Sequence, residues 1–249
     1  MTEDAGRSRI FNEIRDMLLN EGFSIGDPLP TEAQLMERLS CSRSSLREAL
    51  KQLQTLGLVE IRRGVGTYVG PLGVGPLFDA IAVGTVLRSR VNPGAFKELL
   101  ETRVALDVGM ADAICAKFKG KRDAELEDIV TRMIELAGQD SGFLEEDKAF
   151  HQKMQGAVGN GFALDLVMNF WDVFGKLQLD QRIGKQVHPK DVADAHRELL
   201  DAAYAGDPDR YRDAVEWHYE GSRRQADVFA ELGDGAAART WLRVPAGWS

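Results

Sequence analysis

Apolar residues recur along this chain with two different periods, and the change of period divides it. Ile10, Phe11, Ile14, Met17 and Leu18 stand at i, i+1, i+4, i+7 and i+8, which predicts an amphipathic helix over residues 7–21, ended by Gly22. The turn-rich run Gly26-Asp27-Pro28-Leu29-Pro30 delivers Thr31. The spacing of Thr31 to Gln34 is that of a capping box, so a short helix should follow through about residue 39. Ser42 can cap a third helix reaching about residue 56. Leu46, Ala49, Leu50 and Leu53 share one face of it, and Arg43, Arg47 and Lys51, spaced by four, share another. After Gly57 the pattern becomes that of strands: residues 58–62 and 67–69 are β-rich runs around a glycine turn at Gly64 and Gly66, a β-hairpin.

Pro71, Gly73, Gly75 and Pro76 interrupt all periodicity and mark residues 71–77 as a linker. Helical spacing then returns and strand signals almost vanish. Helices are predicted over residues 77–90, 93–118, 122–137, 142–157, 161–181, 190–205 and 208–232, parted by breakers such as Gly120, Gly138, Gly159 and Gly206-Asp207-Pro208. The expected fold is mainly α, with residues 1–70 and residues 78–232 as separate domains and the second an all-helical antiparallel bundle. Residues 233–249 form a tail without periodicity, whose Trp241 and Trp248 offer surface for packing.

Composition narrows the class. No run of about 18 apolar residues occurs, and the start of the chain has acidic residues and no apolar core, so neither a membrane span nor a signal peptide is expected and the protein should be cytoplasmic. Cys41 and Cys115 have no paired spacing and read as reduced thiols. The net charge of −8 argues at first against a nucleic-acid partner. Its distribution changes that: residues 1–70 hold 9 Lys/Arg against 10 Asp/Glu, while the rest holds 22 against 29. Within residues 38–63, Arg38, Arg43, Arg47, Lys51, Arg62 and Arg63 face only Glu48 and Glu60, a basic patch in an acidic protein.

Three helices followed by a hairpin are the parts of a winged helix-turn-helix. The third helix would enter the major groove of double-stranded DNA while the hairpin reaches neighbouring phosphates or the minor groove. Arginine suits that helix because its guanidinium bonds guanine O6 and N7 in a bidentate way, or grips a phosphate. The candidate DNA-contacting set is Arg38, Ser42, Arg43, Ser44, Arg47 and Lys51, with Arg63, Gly64 and Gly66 in the wing. Regularly spaced charges also occur on merely solvated helix faces, and these arginines alone do not separate the two readings.

The order of the surrounding residues does. Gly26-Asp27-Pro28-Leu29-Pro30-Thr31-Glu32, then Ser42-Arg43, Leu46-Arg47-Glu48-Ala49-Leu50, Gly57-Leu58-Val59 and Gly64-x-Gly66-Thr67-Tyr68-Val69 strongly resemble the GntR family of bacterial regulators. The resemblance covers nearly all of residues 1–70 and implies a DNA-binding transcription regulator. One departure stands out: many members carry Arg after the Glu of this signature, at a DNA-contacting position, and here it is Ala33.

Three of the four histidines, His151, His196 and His218, fall on predicted helices of the second domain. Asp147 lies four residues before His151, so both point from one helix face, as a shared metal would require. His196 and His218 lie ten or eleven residues to either side of the Gly206 turn, hence at a similar height of about 16 Å along two antiparallel helices. Three imidazoles and a carboxylate would suit a divalent ion such as Zn²⁺, Ni²⁺ or Mn²⁺ with open coordination positions. Each histidine could instead be hydrogen-bonded in the core. His188, in a connecting loop beside Pro189, is read in that plainer way.

The run Asp147-Lys148-Ala149-Phe150-His151, then Gly159-Asn160, His196 and His218, together with Glu101-x-Arg103, resembles the FadR-type or FCD subgroup of the GntR family. That resemblance implies a metal site at Asp147, His151, His196 and His218. It further implies a small carboxylate metabolite held by the metal and a basic side chain, for which Arg103 stands as effector-binding residue. A buried Arg103 with a structural Glu partner is the alternative.

The leading function is therefore a metabolite-responsive regulator that binds a palindromic operator as a homodimer, since one recognition helix reads too few base pairs alone. A metalloenzyme is the rival, but no His-Glu-x-x-His motif or general base is found. A helical scaffold with a vestigial DNA module is the third reading.

Overall fold

The computed structural model describes residues 3–89, 91–92, 94–139, 141–176 and 188–232. The chain divides into two compact units, Met1–Asp79 and Ala80–Ser249.

The first unit contains α1 (Glu3–Asn20), α2 (Glu32–Arg38), α3 (Arg43–Thr55), β1 (Val59–Arg62) and β2 (Gly66–Val69). Its core draws Ile10, Ile14 and Met17 from α1, Leu35 from α2, and Leu46, Ala49, Leu50 and Leu53 from α3. Phe11 and Leu18, on the same stripe of α1, are only partly buried. Both predicted caps form. Thr31 Oγ1 accepts the Gln34 N–H while the Gln34 side chain accepts the Thr31 N–H at 2.9 Å, and Ser42 Oγ accepts the Ser45 N–H at 3.2 Å.

The two strands pair antiparallel, Val59 opposite Val69 and Arg62 opposite Gly66. Gly64 turns the hairpin at φ 74°, a conformation that glycine adopts without steric cost. The segment before α2, expected as a turn, also lies along the hairpin. Leu29 N–H donates to Thr67 O at 2.8 Å, Val69 N–H to Asp27 O at 2.8 Å and Gly26 N–H to Val69 O at 3.0 Å. Two prolines and a glycine in five residues hid this pairing, which uses only the donors the prolines leave.

The helices from Gly75 onward are α4 (Gly75–Ser89), α5 (Ala95–Gly109), α6 (Ala111–Phe118), α7 (Ala124–Gly138), α8 (Leu144–Gly156), α9 (Gly161–Lys176), α10 (Pro189–Ala205) and α11 (Pro208–Leu232). Two expectations are corrected. Gly75 and Pro76, assigned to the linker, form the first turn of α4, where proline's missing N–H costs nothing. The helix predicted over 93–118 is two helices. The ladder breaks at Met110, directly after Gly109, a residue that weakens a helix interior.

In this bundle α10 packs on α11, α7 and α6, while α8 lies against α7 and α9, and α5 against α11 and α9. The tight turn between α10 and α11 depends on Gly206 at φ 68°. A Cβ there would come within 2.5 Å of the Lys119 side chain. Among the described residues no helix is long and apolar enough to cross a membrane. The expectations for residues 177–181, Trp241 and Trp248 lie outside the described residues.

Candidate functional site

In the first unit, burial of Leu46, Ala49, Leu50 and Leu53 fixes the rotation of α3 and leaves Arg43, Arg47 and Lys51 outward, their side chains 66%, 59% and 69% exposed. Ser42 and Ser44 stand at the N-terminal end of the same helix, joined by a 2.9 Å hydroxyl contact. Arg47 Nε donates to both carboxylate oxygens of Glu32, at 3.1 and 3.2 Å, and Arg43 Nε lies 3.8 Å from the same group. Sequence reasoning assigned no role to Glu32, whose proximity arises from the α2–α3 crossing. Arg63, Gly64 and Gly66 are exposed in the hairpin turn. Arg62 stacks over Tyr68, 4.1 Å from the ring centre. A cleft of about 830 Å³ runs between α3 and the hairpin, bordered by Arg47, Lys51, Arg62 and Arg63. Arg38 is directed elsewhere, onto Glu21 just beyond α1, and Ala33 is exposed in the first turn of α2.

In the second unit, Asp147 and His151 on α8, His196 on α10 and His218 on α11 converge. One ligand-type atom from each lies within 4.8 Å of all the others. The His196 and His218 rings are 4.5 Å apart, and Phe150 packs edge-on against His151 and His196. His196 Nδ1 sits 2.7 Å from Val192 O, which can only accept, so that nitrogen carries a proton. Its Nε2 faces Asp147 Oδ1 at 3.2 Å, and His151 Nε2 faces the same oxygen at 3.2 Å. A neutral His196 would thus set a lone pair against a carboxylate oxygen. Either a second proton or a cation must lie between them.

Burial raises the pKa of the Asp147 carboxyl, but the hydrogen bonds from His151 and His196 outweigh it and hold the group well below its ordinary 3.8. Burial, reinforced by charge on His196 and His151, pushes His218 well below 6.5, so it is neutral at pH 7 and keeps a lone pair. Among the described residues, His218 Nδ1 is also buried without a hydrogen-bond partner. Three imidazole nitrogens and one carboxylate, including an unsatisfied buried nitrogen, are a donor set that fits a divalent transition ion.

Beside this cluster a cavity of about 360 Å³ is bordered by Asp147, His151, His218 and Arg103. Arg103 on α5 is 1% exposed. Its Nε donates to Asp107 Oδ2 at 3.0 Å and its Nη1 to Val167 O at 2.6 Å, while Nη2 lies 3.0 Å from the same Asp107 oxygen in the ion pair. The carboxylate that neutralises it is therefore Asp107, one turn along α5, and not a Glu. Glu101 pairs instead with Arg223, at 2.8 and 2.9 Å. Asp107 also accepts from Tyr219 Oη at 2.7 Å and Gln155 Nε2 at 3.1 Å, tying α5 to α11 and α8. Asp107 and Gln155 each follow an identified residue by four, a signal the sequence did contain; Tyr219 adjoins His218. His188 is the N-cap residue of α10 and makes no side-chain capping bond.

Residues 7–69 match the bacterial regulatory proteins of the gntR family, and residues 98–221 match the FCD domain. The Uxu operon transcriptional regulator of Escherichia coli (strain K12) is 27% identical over 233 residues, covering 89% of this chain and 86% of that protein. The putative transcriptional regulatory protein NedR of Micromonospora viridifaciens is 37% identical over 99 residues, 39% of this chain and 69% of its own. Among solved structures, Streptococcus agalactiae GntR superposes with a TM-score of 0.60 at 23% identity. The match spans 88% of this chain and 99% of that one, and shows a shared fold.

Proposed function

This chain belongs to the GntR family of bacterial regulatory proteins and is a transcription regulator with an FCD domain, not an enzyme; from that membership we propose how it works. It binds a palindromic operator as a homodimer and responds to a small carboxylate metabolite at a divalent metal site made by Asp147, His151, His196 and His218. Zinc suits this N3O set best, with nickel or manganese as alternatives. The observation that carries the reading is the convergence of those four donors within 4.8 Å, three of them, Asp147, His151 and His218, bordering a cavity that Arg103 also borders.

When bound, the ion supplies positive charge and open positions for a carboxylate. The chain's own residues do the rest. Val192 O orients the His196 ring through Nδ1, and Asp147 offsets the cationic charge. Arg103, held by Asp107 and Val167, borders the cavity and meets the metabolite carboxylate there. Because Asp107 is tied to α8 and α11, a ligand drawn to Arg103 loads three helices at once. Coupling of about 1–3 kcal/mol between such a site and the DNA-binding units is ordinary for allosteric proteins.

At the operator, Arg43, Arg47 and Lys51 enter the major groove with Ser42 and Ser44 at the helix start, and Arg63, Gly64 and Gly66 approach the backbone. Glu32 holds Arg47 until DNA replaces it. Arg38, already paired with Glu21, makes at most a peripheral contact. Support for a dimer comes from the small reach of one recognition helix and from Val83 and Leu87, exposed apolar residues one turn apart on α4.

The test is metal content by mass spectrometry together with operator binding by fluorescence anisotropy, before and after chelation, with a panel of organic acids. His196→Ala combined with His218→Ala should remove both metal and acid response while operator binding persists. Stoichiometric metal in the double variant would refute the ligand assignment.

A further inference from the structure

The cavity beside the histidine cluster has two unlike walls. One is polar and charged, formed by Asp147, His151, His218 and Arg103. The rest of the lining is largely apolar: Phe96 and Leu100 of α5, Leu144 of α8, Trp171 and Phe174 of α9, and Val192 of α10. Phe96 and Phe174 meet edge to face, 5.6 Å between ring centres, so this wall is a packed aromatic surface.

Beyond the charged wall, the described residues contribute three further polar side chains to the lining: Tyr219, Ser222 and Gln225. The Tyr219 hydroxyl is already committed to Asp107 at 2.7 Å. Burial, together with the Asp107 carboxylate, keeps that phenol protonated well above its ordinary pKa of 10, so it remains a donor to Asp107. Ser222, Gln225 and the indole N–H of Trp171 are the polar groups left. A polyhydroxylated acid bound here by its carboxylate would turn more hydroxyls toward this largely apolar lining than those groups can satisfy, and an unsatisfied buried hydroxyl opposes binding. An apolar tail would find the matching surface, and the volume of about 360 Å³ lies at the small end of ligand pockets.

We propose that the metabolite recognised at this site is a small carboxylic acid with an aryl or branched-alkyl tail, its tail packed on Phe96, Leu100, Trp171 and Phe174, and not a polyhydroxylated sugar acid. This inference rests on the carboxylate-and-metal reading above. It adds the specificity that the apolar lining imposes.

Three 2-hydroxy acids with the same head group separate the possibilities: lactate with a methyl tail, 3-phenyllactate with a benzyl tail and gluconate with a polyol tail. Each is titrated calorimetrically into the zinc-loaded full chain. Phenyllactate should bind about tenfold or more tighter than lactate, the gain expected from burying a ring, with gluconate no tighter than lactate. In Trp171→Ala and in Phe174→Ala the phenyllactate-to-lactate ratio should fall to about threefold or less. Because the ratio is taken within one variant, a general loss of folding does not imitate the effect. Zinc-dependent binding in which gluconate equals or exceeds phenyllactate, or a ratio unmoved by both substitutions, overturns the aryl-acid inference and leaves the carboxylate site standing. Failure of all three acids to bind in a zinc-dependent way overturns the site itself and this inference with it.

Discussion

The two units handle charge in opposite ways. In the winged unit the proposed DNA-contacting cations of α3 are exposed, and the carboxylates they meet, Glu32 and Glu48, are themselves solvent-accessible. In the helical unit Arg103 is 1% exposed and Asp107 2% exposed, and each is satisfied by named partners on other helices. A surface ion pair is cheap to make and cheap to break, which suits the exchange of a carboxylate for a phosphate proposed for Arg47. A buried pair is costly to desolvate and holds only while every partner is present, which suits a rigid pocket. The same residue types thus serve a switchable contact in one unit and a fixed frame in the other.

That contrast can be broken by substitution. Asp107→Ala leaves Arg103 buried without its carboxylate and should cost the helical unit about 3–5 kcal/mol in urea unfolding followed by circular dichroism. A loss below about 1 kcal/mol would mean the pair is not a fixed frame. Arg47→Ala should weaken operator binding by about 1–3 kcal/mol if it reads a base. If it grips a phosphate instead, the log–log salt slope should lose about 0.9 of its magnitude. An operator affinity indifferent to both salt and Arg47 would end the electrostatic account of the first unit.

Two smaller effects sharpen the comparison. Hydrogen bonding to Arg223 lowers the pKa of Glu101 below its ordinary 4.5, outweighing the opposite effect of partial burial. Between the two values the unfolded chain binds more protons, so this contribution is complete above about pH 5 and is lost as pH falls through the folded value. Glu101→Gln should therefore cost about 0.2–1 kcal/mol at pH 7, with the difference from wild type closing as pH falls through the folded value. Glu32→Gln, an exposed change, should alter stability by no more than about 0.5 kcal/mol. A larger loss would show that Glu32 braces α2 against α3.

Much of this was legible along the chain. The stripe Leu46, Ala49, Leu50 and Leu53 told which way α3 faces, and the capping spacings at Thr31 and Ser42 placed two helix starts to the residue. The spacing of Asp147 to His151, and of His196 and His218 about Gly206, put four candidate ligands on facing helices, and they meet. Gly109 gave only a weak signal of the break at Met110, because glycine in a helical pattern is usually tolerated. The pairing of residues 26–29 with β2 left no trace, since prolines argue against a strand.

The aromatic wall of the cavity was not visible at all. Phe96, Trp171 and Phe174 follow ordinary core periodicity, and nothing in their spacing distinguishes a residue that lines a cavity from one that fills it. Sequence alone determined which faces are buried, where the capped helices α2 and α3 begin, and which titratable residues share a helix face, because these follow from periodicity and local hydrogen bonding within a few residues. Tertiary structure alone decided that Asp107 and not a Glu neutralises Arg103, that Glu101 turns to Arg223, and that Glu32 holds Arg47. Each of those pairings depends on how helices rotate against one another, and that rotation is set by side-chain packing summed over the whole unit, which no short window of sequence contains.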